Sequence, residues 1–317
     1  MTKRLLNQGA QQQGIALIIV LLILAIATVA LVSMSSSRQL DIRRTENLLR
    51  SAQASEYVYS LESWAANALR DDLRVNRLDS FDDNWTRPLP ETTVQGGTIE
   101  ARLTDLQGRF NLNNLLRDNK PNEIEVKRFR RLLVLLEIKP MVIDAIVDWL
   151  DADTEIRYPE GAEDETYFRA KTPYRSANHL FADVSELLLI HGITLHDYNK
   201  LKPYVYVADG YAPMNVNTAD PLLLRALADD LSEKNVELLI RAIKDKPFKK
   251  IETFLQQDSI ATLGINKEGL GVTSNHFLLS GAIRVGKIVL VFDSHLKRQD
   301  NGKMTLLKRQ RRSPDNG

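Results

Sequence analysis

Residues 15–32 read IALIIVLLILAIATVALV, eighteen residues without a charge. At 1.5 Å per residue, a helix of this length spans about 27 Å, close to the thickness of a bilayer core. Lys3 and Arg4 precede the stretch and no acidic residue accompanies them, which favours a cytoplasmic N-terminal side. The stretch therefore predicts a membrane helix.

The small residues on either side of this stretch indicate whether processing would remove the helix or leave it in the mature protein. A secretory signal has a shorter apolar run followed by a small-x-small cleavage site, whereas here Ser33–Ser37 follows a long run. A plain membrane anchor also fits the composition. Gly14 lies immediately before the run, and cleavage after it would remove polar residues 1–14 and keep the apolar helix. We therefore expect a retained membrane helix.

The helix is expected to continue well beyond the membrane. No Pro or Gly occurs between Ile15 and Arg70, and a helix over 15–70 would be roughly 80 Å long. Apolar residues recur at three- and four-residue steps in its second half. They are Tyr57, Leu61, Trp64, Ala65, Ala68 and Leu69. This stripe predicts that the outer half of the helix packs against the rest of the chain.

Strand-like segments flank a long helical region, which predicts an α+β fold. The predicted strands are 92–106, with a turn at Gly96–Gly97, then 277–283, 287–294 and 304–307. The simplest topology is a small antiparallel sheet packed on the long helix, with a large α-helical domain inserted between its strands. The segments are a leader at 1–14, the membrane and spine helix at 15–70, a linker and first strands at 71–106, the inserted domain at 107–270, and C-terminal strands with a basic tail at 271–317.

The inserted domain is predicted to consist of paired helices. They are 127–138 with 141–150, 183–190 with 194–201, and 221–231 with 233–243. FNLNNL at 110–115 and MNVNTA at 214–219 resemble each other, and each places Asn before a helix, where it is expected to cap free N–H groups. The tail from Lys297 has seven basic and two acidic residues and is expected to be solvated or disordered.

The helical pair about Gly192 is similar to helix-hairpin-helix modules, which bind nucleic-acid phosphates through backbone N–H groups. The hairpin lacks a second Gly, and Glu186 and Asp197 would repel phosphate. With 42 Lys plus Arg against 41 Asp plus Glu, the formal charge of +1 gives no bulk attraction for nucleic acid. We expect a structural pair and no nucleic-acid partner.

An acidic loop is the strongest candidate for a binding site. Eight acidic residues fall between 148 and 165, with Arg157 as the one opposing charge. Concentrated carboxylates repel one another unless they are solvated, paired or neutralised by a metal. Oxygen ligands and the absence of Cys favour a hard cation, with calcium ahead of magnesium. A solvated acidic loop is the alternative.

The expected ligands come from both ends of this loop. Asp151 and Asp153 offer oxygens on alternate residues, and a turn at 159–161 would bring Glu163 and Asp164 back to the same point. Further oxygen donors are Asp148, Glu155 and Glu160. The loop is not an EF-hand, because its sixth and twelfth positions from Asp151 are Ile156 and Ala162.

Composition and motifs do not favour an enzyme. The 317 residues suggest about two domains, and 44% hydrophobic with 26% charged residues is typical of a globular chain. Zero Cys excludes disulfides, thiolate metal sites and a Cys nucleophile. The five His have no metal-ligand pair spacing, and no Walker, G-x-S-x-G or G-x-G-x-x-G motif occurs. A carboxylate or metal-dependent hydrolase using the acidic loop is the remaining enzymatic alternative.

The leader ending in Gly14 and the unbroken apolar helix resemble the type IV pilin and pseudopilin family. Five downstream segments are similar, in order, to the minor pseudopilin K family of type II secretion systems. They are DLQGRFNLNNL at 105–115, DWLDAD at 148–153 with PEGAED at 159–164, YRSAN at 174–178, SELL at 185–188 and NVNTA at 215–219. The resemblance extends over nearly the whole chain to about residue 290.

This resemblance implies cleavage between Gly14 and Ile15 by a prepilin peptidase, with methylation of the new Ile15 amine. Most pseudopilins have Glu five residues into the mature chain, where it is thought to pair with a neighbour's N-terminal amine inside the membrane. This sequence has Ile19 there, as is typical of the K family. A subunit without this Glu fits poorly as a repeated filament unit and better as a unique end piece.

The resemblance further implies a non-enzymatic protein of the inner membrane, with one membrane span and the bulk of the chain in the periplasm. It would form a complex with the minor pseudopilins I and J, and would initiate and cap the pseudopilus for protein secretion. Further implied partners are the H and major G pseudopilins, the inner-membrane assembly platform and inner-membrane lipid. The family also binds calcium in the inserted domain. A tip minor pilin of a type IV pilus or DNA-uptake machine is a second alternative.

Overall fold

The computed structural model describes residues 8–313, and its first element is one continuous helix, α1, Gln8–Val75. Its 68 residues would extend about 100 Å. The sequence places the end of the helix near Arg70, but it continues for another turn because no Pro or Gly interrupts it there. It is the one helix in the described residues that is long and apolar enough to cross a membrane.

The outer half of α1 is covered by the chain's own sheet, as the apolar stripe predicts. Residues 15–49 are exposed along their whole length. From Ala54 onward one face is buried, at steps of three and four residues. The buried residues are Ala54, Val58, Leu61, Ala65 and Leu69. These side chains pack on sheet residues such as Phe277, Leu279 and Phe292 to form one of the two main cores.

Eleven strands occur in the described residues, and five of them form the sheet that packs on α1. The strands are β1 Leu89–Val94, β2 Gly97–Asp105, β3 Phe110–Asn111, β4 Leu116–Arg117, β5 Lys120–Pro121, β6 Val205–Tyr206, β7 Met214–Asn215, β8 Leu270–Gly271, β9 His276–Val285, β10 Ile288–Arg298 and β11 Met304–Arg312. The sheet order is β1-β2-β9-β10-β11, antiparallel throughout. Strands from the two ends of the sequence are therefore neighbours, with residues 106–275 between them.

Most of the C-terminal tail is ordered as a strand, with its side chains from 306 to 312 exposed to solvent. Residues 304–312 form β11, which pairs with β10 and places basic side chains on both faces of the sheet. Arg309 pairs with Glu62 of α1 at 2.6 Å, and Lys308 pairs with Asp183 of the inserted domain. Of the two alternatives expected for the tail, disorder is wrong for residues 304–312, because pairing with β10 and these ion pairs outweigh the repulsion between like charges, whereas exposure to solvent is confirmed.

The segment 71–90, predicted as a linker, is built into the fold. It contains the last turn of α1 and a 3-10 helix, Asn84–Thr86. Asp79 is fully buried, and its backbone N–H donates to the carbonyl of Val272 at 3.1 Å. Trp85 is buried edge-on against Phe277, with ring centroids 5.3 Å apart. This segment therefore holds the end of α1 against both the sheet and the inserted domain.

The inserted region has a separate apolar core and contains seven α-helices in the described residues. They are α2 Glu123–Leu135, α3 Val142–Leu150, α4 Asp164–Phe168, α5 Leu195–Leu201, α6 Pro221–Arg225, α7 Glu233–Asp245 and α8 Ile251–Leu255. The predicted helix at 183–190 is a 3-10 helix, Val184–Leu189, and the one at 221–231 ends after five residues. The helix predicted from 127 begins at Glu123, because Asn122 caps it.

Candidate functional site

The acidic loop begins at the end of α3, the most apolar helix of the inserted domain. Every residue of α3 is buried, including Asp144 and Asp148. Asp148 accepts hydrogen bonds from the backbone N–H of Arg157 at 3.1 and 3.3 Å, which folds the loop back over the helix end. A Cβ on Gly161 would lie 2.2 Å from Asp148 Oδ2, so glycine is required where the returning chain passes this carboxylate.

Two of the predicted ligands are buried with unsatisfied oxygens. Glu163 is 4% exposed, and neither of its carboxylate oxygens has a hydrogen-bond partner in the described residues. Asp151 is 6% exposed, and its Oδ1 has no partner there either. Unpaired buried carboxylates are costly, since they lose water and gain nothing in exchange. The loop therefore concentrates negative charge that this part of the chain does not neutralise.

Burial and mutual repulsion shift the pKa values of these groups. Burial, followed by the charges of Asp153 and Asp148, raises the pKa of Asp151 to about 7. Burial, followed by the charges of Asp148 and Asp151, raises the pKa of Glu163 to about 7. Both effects disfavour the ionised form, and a bound cation would reverse them.

The structure brings five of the seven predicted oxygen donors into one neighbourhood. Asp148, Asp151, Asp153 and Asp164 all raise the pKa of Glu163 through their charge. Asp164 is also held in place, because its Oδ1 accepts from the backbone N–H of Ser176 at 2.9 Å. Glu160 is directed elsewhere and pairs with Lys139 at 2.5 Å. Glu155 is exposed and is not among the charges that act on Glu163.

Asn178 offers a further oxygen ligand, which the composition of the acidic loop did not indicate. Its side-chain N–H donates to the carbonyl of Asp153 at 3.1 Å, while its Oδ1 is buried without a partner in the described residues. Its φ of 48° places it in the left-handed region, which Asn tolerates better than most residues. The signal in the sequence was the segment YRSAN at 174–178, which the family resemblance had singled out.

The oxygen atoms of these side chains are the ligand type that a hard cation prefers, but the side chains do not converge on one point. In residues 8–313, no group of three or more His, Asp or Glu side chains has the arrangement that would hold a metal ion. The unpartnered oxygens of Asp151, Glu163 and Asn178 are the groups that calcium would satisfy, since calcium takes carboxylate and amide oxygens in flexible geometry. Binding would therefore require small movements of exposed loop residues such as Asp153.

A buried polar cluster at the joint between the sheet and the inserted domain explains two other segments of the resemblance. Asp105 ends β2 and is 5% exposed. It accepts from Ser274 Oγ at 2.6 Å, Thr218 Oγ1 at 2.5 Å and Asn215 Nδ2 at 3.2 Å. The DLQG and NVNTA segments therefore meet at one carboxylate and fix the domain to the sheet.

The Asn residues in the two related segments do different work. Asn111 caps the 3-10 helix Leu112–Leu115, as predicted. Asn217 is not a helix cap, because its side chain donates to the carbonyl of Phe248 at 3.0 Å and accepts from the N–H of the same residue at 2.8 Å. The cap of α6 is Asp220. The capping prediction was therefore right for the first segment and wrong for the second.

The predicted processing site lies within α1. Both Gly14 and Ile15 are helical, and Ile15 is exposed. Residues 1–7 of the predicted leader lie outside the described residues. Cleavage between Gly14 and Ile15 would leave the helix from residue 15 onward unchanged in its contacts, because residues 15–49 pack on nothing else in the described chain.

Comparison with known proteins gives concordant results across the chain. Residues 108–210 and 214–273 match two family models, each described as type II secretion system (T2SS), protein K. A type II secretion system protein K of Pseudomonas aeruginosa is 34% identical over 94% of this chain and 92% of its own length. One from Aeromonas hydrophila is 30% identical over 94% and 97%.

A solved structure shares the architecture over most of the chain. It is the crystal structure of the GspK-GspI-GspJ complex from the type 2 secretion system of enterotoxigenic Escherichia coli. The matched chain covers 85% of this chain and 99% of its own length, with 26% identity and a TM-score of 0.75. The α+β fold expected from the sequence, with its long helix, small sheet and helical insert, is therefore confirmed.

Proposed function

Since this chain belongs to the type II secretion system protein K family and is a minor pseudopilin, we propose that it forms the tip of the pseudopilus. There it initiates assembly and caps the filament for protein secretion across the outer membrane. The relatives are named as components of a secretion system, which favours this role over a membrane-anchored hydrolase. The same names favour it over a tip pilin of a type IV pilus or DNA-uptake machine.

The position of the helical domain is the observation that supports a tip role most strongly. The domain is attached where β2 ends and β9 begins, and Asp79, just beyond α1, donates its backbone N–H to Val272. It therefore lies at the end of the molecule farthest from the membrane segment. A domain of this size would prevent another subunit from stacking on the side away from the membrane. It would not prevent subunits from packing on the membrane side.

The exposed apolar side chains of α1 indicate that partner subunits bind on the membrane side of the molecule. Beyond the apolar segment, the helix still exposes Leu40, Ile42, Leu48 and Leu49 by 52–72%. The similar solved chain is in complex with GspI and GspJ, and we assign the corresponding minor pseudopilins I and J to this surface. Pseudopilins H and G, the assembly platform and inner-membrane lipid would follow below them.

Native mass spectrometry of the chain co-produced with pseudopilins I and J tests the partner assignment. We expect a complex with one copy of each protein. A matched pair of variants locates the contact: Leu48→Glu should weaken the complex, whereas Glu91→Gln on the exposed edge strand β1 should leave it unchanged. A complex that forms equally well with Leu48→Glu would contradict the assignment.

Processing is a separate expectation with its own measurement. A prepilin peptidase would cut between Gly14 and Ile15, and the mature chain would begin with a methylated Ile15 amine, anchored in the inner membrane with its bulk in the periplasm. Intact mass and N-terminal sequencing of the chain from membranes should give this start. A start at Met1, or a cut beyond Val32, would contradict the pseudopilin assignment.

Calcium is the cation that we assign to the acidic loop. Its ligands would be Asp151, Asp153, Glu163 and Asp164, with Asp148 and Asn178 behind them. Bound calcium would neutralise the repulsion that raises the pKa values of Asp151 and Glu163, and it would fix the returning chain at the end of α3. Its role would be structural, since ion binding to the folded state alone stabilises that state.

Thermal unfolding with and without calcium tests this site. At a calcium concentration about 100 times Kd, the folded state should gain about 2.7 kcal/mol, visible as a higher Tm than in EDTA. Glu163→Gln should remove most of this gain. Glu165→Gln is the matched control, because Glu165 is adjacent, is 82% exposed and pairs only with Arg169 at 3.6 Å among the described residues. An equal calcium response in all three proteins would contradict the assignment.

A further inference from the structure

A cleft lies between the sheet and the helical domain, away from the acidic loop. It encloses about 610 Å³. Its walls include the apolar side chains of Trp85 and Leu103 on one side and Ile240 and Ile243 of α7 on the other. Phe81 also lines the cleft, and 64% of its surface is exposed. The cleft therefore offers apolar contact together with an open entrance.

One wall of the cleft is a free strand edge. β1 pairs with β2 only as far as Ala101, whereas β2 continues to Asp105. Residues 102–105 consequently pair with β9 alone, and their other edge has no strand neighbour in the described residues. All four of these residues line the cleft. An edge of this kind can hydrogen-bond to an extended peptide as an added strand.

Arg109 is the cation that points to the chemistry of the occupant. It is half-buried in the cleft and has no carboxylate within 4.0 Å in the described residues. Every other Arg or Lys of residues 15–313 that is not exposed has such a partner. Burial lowers the pKa of Arg109, and the charges of Asp293, Asp105 and Asp220 oppose this only in part. A carboxylate from outside would complete its environment.

The charges around the cleft fit a single negative charge. Arg102 and Lys244 are exposed cations that line it beside Arg109. Two acids also line it: Asp105 is occupied by Ser274 and Thr218, and Asp220 accepts from the backbone N–H of Leu222 at 2.8 Å. These acids would repel a doubly charged phosphate more strongly than a carboxylate. The apolar walls also suit a peptide better than a free inorganic anion.

We propose that this cleft binds an extended peptide segment of another protein, which adds to the free edge of β2 and presents one carboxylate to Arg109. The apolar side chain next to that carboxylate would lie against Phe81 and Ile243. This site lies apart from the exposed face of α1 and from the acidic loop, so it stands independently of the tip role and of calcium binding.

Peptide selection on the purified full chain in detergent tests the proposal. A displayed library of random heptapeptides serves as the probe, and selected peptides are synthesised with their acidic residue and with its amide counterpart. We expect Asp or Glu in the selected peptides and binding at least about tenfold weaker for the amide, as a hydrogen bond between charged groups is lost. Binding should also slow hydrogen exchange at residues 102–105.

Variants of the chain separate this site from general charge effects. Arg109→Gln should weaken binding of the acidic peptides at least about tenfold. Lys244→Gln should weaken it less, and Lys234→Gln, at the other end of α7, should leave it unchanged. If Arg109→Gln lowers Tm strongly, its weaker binding could reflect unfolding. The comparison of Lys244→Gln with Lys234→Gln then tests whether the peptide binds in the cleft.

The proposal would be overturned by no enriched peptide, by enriched peptides without an acid, by equal binding to the Lys244→Gln and Lys234→Gln chains, or by hydrogen exchange that is not slowed at residues 102–105. Inorganic phosphate that displaced the peptide at concentrations where acetate did not would also overturn it, because that result would identify a phosphate site.

Discussion

At the scale of single residues, Asp105 joins the two bodies of the molecule. Its carboxylate accepts from hydroxyls of Ser274 and Thr218, which lie 169 and 113 residues away in the sequence. Burial raises its pKa, and these hydrogen bonds oppose the shift. One side chain therefore connects the end of β2, the NVNTA segment and the segment that leads into β9.

Replacing Asp105 tests this joint. Asp105→Ala would leave the buried donors of Ser274, Thr218 and Asn215 without their acceptor, and the free energy of unfolding should fall by about 2–4 kcal/mol. Asp300→Ala, at an exposed turn, is the control and should change it by less than about 0.5 kcal/mol. Denaturant unfolding of the full chain in detergent measures both, and equal stability of the two variants would refute the role given to Asp105.

Glu125 predicts a pH dependence of stability. It is 2% exposed and pairs with Arg128 at 2.9 Å, but burial outweighs the charge of Arg128 and raises its pKa to about 7. A raised pKa means that the folded chain binds this proton more tightly than the unfolded chain. The stabilisation is therefore complete below the unfolded pKa, near 4.5, and is lost as pH rises towards 7.

Glu125→Gln should flatten this dependence, because the amide keeps an acceptor for Arg128 and cannot ionise. The difference in unfolding free energy between pH 4.5 and pH 7.5 should shrink by on the order of 2 kcal/mol relative to the unaltered chain. Measurements in EDTA remove any contribution from calcium. Parallel pH profiles for the two proteins would show that Glu125 does not titrate in this range.

At the scale of elements, β11 fastens the sheet to its surroundings. Arg309 reaches Glu62 of α1 and stacks over the Tyr59 ring at 4.7 Å, while Lys308 reaches Asp183 of the helical domain. Exposed ion pairs contribute little singly, but this strand also pairs with β10 over most of its length. The C-terminal strand therefore connects α1, the sheet and the helical domain.

Shortening the chain tests β11. A stop after residue 303 removes the strand and exposes the edge of β10, so Tm should fall by several degrees and aggregation should increase. A stop after residue 313 removes only residues 314–317 and should leave Tm unchanged. If both shortened chains melt like the full chain, β11 does not stabilise the fold.

Local patterns predicted the elements that depend on local causes. The helix α1 and strands β2, β9 and β10 follow from periodicity, turn residues and the absence of Pro and Gly. β11 was predicted as four residues and its basic end as solvated or disordered, because the ion-pair partners of that end, Glu62 and Asp183, are distant in sequence. The segment 71–90 was misjudged for the same reason, since Asp79 and Trp85 are buried by residues near 275.

The candidate metal site divides in the same way. Asp148, Asp151, Asp153, Glu163 and Asp164 fall within 17 residues, and their density alone predicts the loop. Asn178 joins them from outside that window, and the cleft around Arg109 joins residues from the sheet and the helical domain. Neither the contribution of Asn178 nor the cleft could be predicted from composition, because the residues involved are distant in sequence and become neighbours only in the folded chain.

At the scale of the whole molecule, the architecture separates three tasks along one axis. The apolar part of α1 is long enough to cross a membrane, residues 33–49 are exposed beyond it, and the sheet and helical domain pack at the other end of the helix. Ile19 stands at the position where the family resemblance implies a Glu in repeated filament subunits. These properties support the proposal that the chain occupies the end of the filament.

Immunogold electron microscopy of pseudopili tests that position most directly. Pseudopili produced in cells with the full chain are labelled with an antibody against the helical domain, residues 107–270. The account predicts gold at one end of each filament and none along its sides. Gold distributed along the filaments, or filaments of normal number and length that carry no gold at either end, would contradict the assignment of this protein to the tip.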